Sequence, residues 1–120
     1  MGFLQILKII VAVATILTGI VSLFWPRKVR NFTGLEVQGG RGITEIRSIL
    51  GAFFIGLGST ALYFNIPETY QMLGFTYLIV AIVRGISMFV DNSVVSSNII
   101  SLIVEVLFGV ILVLQFGGIS

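Results

Sequence analysis

Cysteine and histidine are both missing from this chain of 120 residues. Without cysteine there is no disulfide, no thiolate nucleophile and no cysteine-ligated zinc or iron–sulfur centre. Without histidine the chain lacks the commonest ligand of transition metals and the usual proton-transfer group near neutral pH. We therefore expect no metal site and no cofactor. Carboxylates remain as the side chains for acid–base chemistry, and the sequence does not favour an enzyme.

Charge is scarce as well. Charged residues make up 10% of the chain, against about 25% in an ordinary soluble domain. Hydrophobic residues make up 57%, and the mean hydropathy is +1.12. This composition is typical of an integral membrane protein. The formal net charge of +2 is concentrated locally, and no basic amphipathic stripe indicates a nucleic-acid partner.

Four apolar stretches follow one another along the chain, at about residues 3–24, 44–64, 70–90 and 95–116. Each has roughly the 20 residues that an α-helix needs to cross the hydrocarbon of a bilayer. Helix breakers separate them, namely Pro26, Pro67 and the pair Asp91-Asn92. We predict an all-α fold, in which residues 1–120 form a single domain. That domain is a four-helix transmembrane bundle with antiparallel neighbours.

Basic residues in the first connection predict the orientation of the bundle. Arg27, Lys28, Arg30 and Arg41 all lie there, whereas the second connection and the C-terminal tail have none. The positive-inside rule places such a connection in the cytoplasm, so both termini are expected on the non-cytoplasmic side. Lys8 is the one opposing charge. A cleaved signal peptide is the competing interpretation of the first stretch, but Lys8 alone makes a weak basic n-region.

Two opposite charges lie deep in the apolar stretches, Arg84 in the third and Glu105 in the fourth. A charge in hydrocarbon costs about 3 kcal/mol, so these two side chains are expected to meet each other or water. Glu45 and Arg47 begin the second stretch in the same half of the membrane, and Arg47 is the alternative partner. The four residues predict a polar pocket open to the cytoplasm. The alternative is a structural ion pair that fixes the register of the helices.

Small residues recur with the spacing of helix-packing faces. Such residues allow the backbones of neighbouring membrane helices to approach closely. The sequence therefore predicts helix packing through one row on each of the last three stretches, formed by Ala52, Gly56 and Thr60, by Ala81 and Gly85, and by Ser101 and Gly109.

The segment from Gly42 to Gly58 has an acid, one residue and then arginine at the start of a helix, followed by a glycine-rich run. This pattern resembles the small bacterial four-helix DoxX-like membrane proteins, whose domain is of unknown function. The Trp25-Pro26 exit of the first stretch is part of the resemblance. It implies a four-helix fold in the bacterial inner (plasma) membrane and no established activity. The positions it implies as a candidate cluster are Glu45, Arg47, Arg84 and Glu105.

Three functions remain open for such a small multi-pass membrane protein. The first is an accessory or assembly subunit of a larger membrane complex, because little of the chain lies outside the membrane and small-residue faces can accept other helices. The second is a small transporter or channel that uses the Arg/Glu cluster. The third is a protein that binds a lipid or its head group. The expected partners are the lipid bilayer and either other membrane subunits or further copies of the chain.

Overall fold

The computed structural model describes residues 2–29, 33–36 and 38–115. Four helices in these ranges are long and apolar enough to cross a membrane. They are α1 (Phe3–Phe24), α2 (Gly39–Phe64), α3 (Pro67–Val90) and α4 (Ser96–Val113). A short 3-10 helix, Pro26–Lys28, follows α1, and the described residues contain no strand. The predicted all-α class with four membrane-length helices is confirmed, and these helices fit an integral membrane protein.

The ends of the helices follow from local residue chemistry. Pro67 begins α3, earlier than the predicted residue 70, because the first turn of a helix tolerates a residue without an N–H donor. α2 begins at Gly39 rather than at residue 44, and the Arg41–Glu45 ion pair supports its early turns. Asn92 adopts a left-handed φ of 52° after α3, a conformation that asparagine tolerates better than most residues.

The contacts divide the chain into two compact units, Met1–Val11 with Asn65–Ser120 and Ala12–Phe64. In the Ala12–Phe64 unit, α2 approaches α1 through glycine. A Cβ added to Gly58 would lie 2.7 Å from the backbone oxygen of Ala12, and one added to Gly51 would lie 3.1 Å from Leu23. Only glycine fits such an approach without movement of the neighbouring backbone. The prediction of a single four-span domain stays a prediction.

A π-helical segment, Ile46–Ala52, interrupts α2 where it approaches α1. The N–H of Phe53 bonds the carbonyl oxygen of Ser48 there, which is the i to i−5 spacing of a π-turn. The wider turns rotate the residues before the segment relative to those after it. Rows of small residues drawn with α-helical spacing therefore do not run straight through this part of α2.

In the other unit, α3 and α4 pack against each other through two glycines. A Cβ on Gly74 would lie 2.7 Å from the Cβ of Leu112, and a Cβ on Gly109 would lie 2.6 Å from the side chain of Leu78. The two faces thus interlock with no space for a further carbon. Gln71 donates a hydrogen bond to Gln115 near the same end of the pair, at 3.1 Å.

The rows of small residues that the sequence predicts for packing are only partly buried. Ala81 and Gly109 are buried and Ser101 is partly buried, whereas Ala52 is exposed. A Cβ added to Gly56 or Gly85 would meet no atom of the described residues within 4 Å. α2 therefore uses the row of Gly51 and Gly58 rather than that of Ala52 and Gly56. Both rows have helical spacing, so spacing alone does not decide which one faces a neighbour.

Candidate functional site

Arg84 of α3 and Glu105 of α4 are joined by two parallel hydrogen bonds. The Nε atom donates to Oε1 and the Nη2 atom donates to Oε2, both at 2.8 Å. This bidentate geometry is the strongest form of an arginine–carboxylate pair. The Glu105 side chain is 12% exposed and that of Arg84 is 30% exposed. The structure thus brings together the two intramembrane charges that the sequence places on different helices.

Asn98 of α4 is a third member of this cluster, and no sequence pattern singles it out. Its Oδ1 atom accepts a hydrogen bond from Nη1 of Arg84 at 3.0 Å. Its Nδ2 atom donates to the backbone oxygen of Ser93 at 2.9 Å. Asn98 therefore ties the guanidinium to the connection between α3 and α4. A single polar residue in the first turns of an apolar helix is a weak signal, because such residues are common at helix starts.

An open cavity of about 380 Å³ adjoins the pair. Arg84 lines it, whereas Glu105, which is bonded to the Arg84 guanidinium, is not among the lining residues. The lining combines apolar and polar side chains. The apolar lining residues are Ile79, Val80, Val83 and Met88, and the polar ones are Arg84, Ser87, Ser93 and Asn98.

The other two residues of the predicted cluster lie in the Ala12–Phe64 unit. Glu45 accepts a hydrogen bond from the Nε atom of Arg41 at 3.0 Å, one helical turn away, and both side chains are exposed. Arg47 is exposed as well. The pair of Arg84 and Glu105 belongs to the other unit. A pocket formed by all four residues therefore stays a prediction.

A third intramembrane charge, Lys8 of α1, is fully buried. Its Nζ atom has no hydrogen-bond partner among the described residues and lies 6.0 Å from the centre of the Tyr70 ring. The Tyr70 hydroxyl donates to Oδ1 of Asn65 at 2.7 Å, and Nε2 of Gln5 donates to the same oxygen at 2.7 Å. The sequence predicts for Lys8 only a part in the orientation and in the signal-peptide alternative. Its position within an apolar stretch was the signal that could have identified it.

Replacement of Lys8 tests the energetic effect of this burial. Lys8→Met is expected to raise the free energy of unfolding by about 1–3 kcal/mol, because an ammonium without hydrogen bonds is replaced by an apolar chain of similar length. Lys28→Met, at an exposed lysine, is the matched control and should change stability by less than about 0.5 kcal/mol. Unfolding in a denaturing detergent, followed by circular dichroism, measures both. Destabilisation by Lys8→Met would show that the ammonium has a stabilising partner.

The described residues contain no group of three or more acidic, histidine or cysteine side chains that could hold a metal ion. The chemistry available at the candidate site is hydrogen bonding by a fixed guanidinium next to an apolar wall.

The comparisons with known proteins give a family but no activity. The family described as Domain of unknown function (DUF4345) matches residues 3–116. No curated protein matches the chain, and no solved structure does. The predicted resemblance to a domain of unknown function is confirmed in this general form.

Proposed function

We propose that this chain, which belongs to the family described as Domain of unknown function (DUF4345), is a small multi-pass membrane protein that binds an amphipathic molecule in the cavity between α3 and α4. The cavity carries the proposal. Its volume of about 380 Å³ falls within the roughly 300–1,000 Å³ of small-molecule sites, which combine apolar walls with a few convergent polar groups. Val80, Val83 and Arg84 illustrate that combination on one helix. A molecule with an apolar chain and one polar end fits such a lining.

The state of the ion pair favours binding over ion or proton transport. Both carboxylate oxygens of Glu105 accept hydrogen bonds from Arg84. A carboxylate that couples transport must exchange its proton or ion during each cycle, and it would have to break this bidentate pair every time. The pair instead supports a fixed wall for a bound molecule. This is the lipid-binding alternative among the three functions that the sequence leaves open.

Filling the cavity tests the proposal. Val83 lines the cavity and is 61% exposed, whereas its neighbour Ile82 does not line it and is 62% exposed. Val83→Trp is expected to weaken binding of a photoactivatable acyl lipid by about tenfold or more, since the indole occupies the space of the chain. Ile82→Trp should leave binding unchanged. Reconstituted protein is labelled by light, and the labelled peptides are quantified by mass spectrometry.

Two results would contradict the binding site. Labelling of α3 that is equal in both tryptophan variants would mean that the lipid lies on the general surface of the helix. Labelling confined to other helices would exclude the cavity directly. Because both positions are exposed, neither substitution is expected to change the stability of the fold by more than about 0.5 kcal/mol.

The proposed topology has antiparallel neighbours and a cytoplasmic first connection. Contacts between α3 and α4 support it, because Gln71 bonds Gln115 whereas Arg84 bonds Glu105, so the residue numbers run in opposite directions. Four spans then place both termini on the non-cytoplasmic side. The chain has no cysteine, so a single cysteine at Lys28 should react with an impermeant thiol reagent only from the cytoplasmic side. Reaction from the other side would reverse the orientation.

The finer family relationship is also a proposal. The acid–x–arginine pattern of Glu45 and Arg47 at the start of a glycine-rich helix supports a DoxX-like relationship and a bacterial inner (plasma) membrane. A relative of known origin that shares this pattern and the Arg84–Glu105 pair would strengthen the relationship. A relative of DoxX type that lacks both charges would weaken it.

An accessory or assembly subunit is the second candidate function. Gly56 and Gly85 support it, since nothing in the described residues lies within 4 Å of a Cβ at either position. Exposed small residues on a membrane helix allow the backbone of another helix to approach closely. Such a subunit should be extracted by a mild detergent with partners attached. A native mass equal to that of one chain with bound lipid would contradict this role.

A further inference from the structure

We infer that the polar end of the molecule bound between α3 and α4 is an uncharged hydrogen-bond acceptor of the carbonyl type, carried on an apolar chain. This inference rests on the proposed function and specifies the ligand class. It follows from the hydrogen bonds already formed around Arg84, from the charges next to the cavity and from the depth of the site.

Arg84 and Asn98 keep hydrogen-bond donors that a ligand can use. A guanidinium group has five N–H donors. Within the described part of the chain, Arg84 uses three of them, on Nε and Nη2 toward Glu105 and on Nη1 toward Asn98. One N–H therefore remains on each of Nη1 and Nη2. The amide of Asn98 donates one hydrogen to the backbone oxygen of Ser93 and retains a second. The polar wall of the cavity is thus rich in donors.

The nearest acceptors of the guanidinium each already receive one hydrogen bond. Both oxygens of Glu105 and the Oδ1 atom of Asn98 receive hydrogen bonds from Arg84. The Ser87 hydroxyl donates its proton to Oδ2 of Asp91 at 2.6 Å. A ligand group that donates hydrogen bonds finds few free acceptors near Arg84. A ligand oxygen that accepts can receive the remaining N–H groups.

The charges next to the cavity disfavour a charged ligand group. Glu105 neutralises Arg84, and Asp91 beside the cavity-lining Ser87 adds another carboxylate. Two carboxylates and one guanidinium thus belong to the cavity-lining residues and their hydrogen-bond partners, a balance that disfavours an anionic head group. A cationic group would instead meet the guanidinium at the cavity wall. An uncharged oxygen with a partial negative charge avoids both repulsions and still receives the free donors.

The depth of the site agrees with an uncharged group. Arg84 precedes the last residue of α3, Val90, by six positions, which is roughly 9 Å along a helix axis. α3 has 24 residues and a length of roughly 36 Å, slightly more than the roughly 30 Å of hydrocarbon. The Cα atom of Arg84 is therefore expected inside the hydrocarbon layer. A second full charge brought to this depth is costly, whereas an ester or ketone oxygen is tolerated.

Competition among amphiphiles with one common chain tests the inference. The probe is a photoactivatable acyl methyl ester in liposomes that contain the full chain. The competitors are the plain methyl ester, the alkyl sulfonate, the alkyl trimethylammonium and the hydrocarbon. We expect the methyl ester to suppress labelling of α3 at about a tenth, or less, of the concentration that each of the other three needs. Equal or better competition by any of the three would overturn the inference.

The tryptophan variants separate failure of the inference from failure of the proposed function. Labelling that Val83→Trp abolishes and Ile82→Trp retains establishes the cavity as the site, whichever competitor is strongest. With that result, an advantage of the sulfonate or the trimethylammonium overturns the ligand class alone. If no probe gives labelling that depends on Val83, the proposed function itself is wrong and the ligand class fails with it.

Discussion

Glu105→Gln lowers the free energy of unfolding by about 2–3 kcal/mol, somewhat less than the 3–5 kcal/mol typical of fully buried pairs, because Arg84 keeps 30% of its side chain exposed. The change leaves the guanidinium charged and without its counter-charge inside the bilayer. Arg84→Gln is expected to cost less, about 1–2 kcal/mol, since a carboxyl group left alone can take up a proton. Unfolding in denaturing detergent measures both single variants.

The double variant decides whether the two side chains are coupled. When both become glutamine, two amides that can hydrogen-bond to each other replace the pair, and we expect at least half of the summed loss to be recovered. The exposed pair of Arg41 and Glu45 offers a control with the same residue types and a 3.0 Å contact. Neutralising it should cost less than about 1 kcal/mol. Purely additive losses at Arg84 and Glu105 would mean that the bond between them contributes nothing to stability.

Gly58→Ala and Gly56→Ala are expected to change stability in opposite directions, although the two glycines are separated by one residue. The Cβ at position 58 would lie 2.7 Å from the backbone oxygen of Ala12, so α1 or α2 must move, and the loss is about 1–3 kcal/mol. The Cβ at position 56 would meet no atom within 4 Å in the part of the chain that the structure describes. There alanine improves the helix and raises stability by up to about 1 kcal/mol.

Thermal unfolding in one detergent compares the two alanine variants. The contrast isolates the close approach of α1 and α2, because both variants add the same methyl group to the same helix. A loss at Gly56 of the same size as that at Gly58 would show that a further helix covers the open face. That outcome would support the accessory-subunit candidate and contradict an open Gly56 face.

The sequence predicts the four helices well because their signal is chemical and extended. Twenty or so apolar residues have few alternatives to a membrane-length helix, and Trp25 and Pro26 mark the end of α1 at Phe24. The contact of Arg84 with Glu105 is also deducible, since opposite charges at similar depth have no better partner. Both inferences depend on composition and on position along an apolar stretch. Both can be read directly from the sequence.

Finer features depend on choices that the sequence leaves open. The π-helical segment Ile46–Ala52 of α2 is not predicted by any residue type in it. The spacing of small residues also does not predict that Gly58 rather than Gly56 meets α1. A lone lysine near the start of an apolar stretch is expected to mark orientation, but Lys8 is fully buried. Asn98 is one of several polar residues at the start of α4, and the sequence does not distinguish it from the others. In each case the role of the residue depends on the residue packed against it. Hydropathy does not predict that neighbour.

The polar contacts at the two ends of α3 have a consequence for the response to bilayer thickness. Near its beginning, Tyr70 donates a hydrogen bond to Asn65, which also accepts one from Gln5 of α1. Near its end, Arg84 bonds Glu105, 14 positions or roughly 21 Å of helix further on. A helix held at both levels resists vertical sliding past its neighbours. Thinner or thicker membranes should therefore be accommodated by deformation of the surrounding lipid, with α3, α4 and the first turns of α1 moving together.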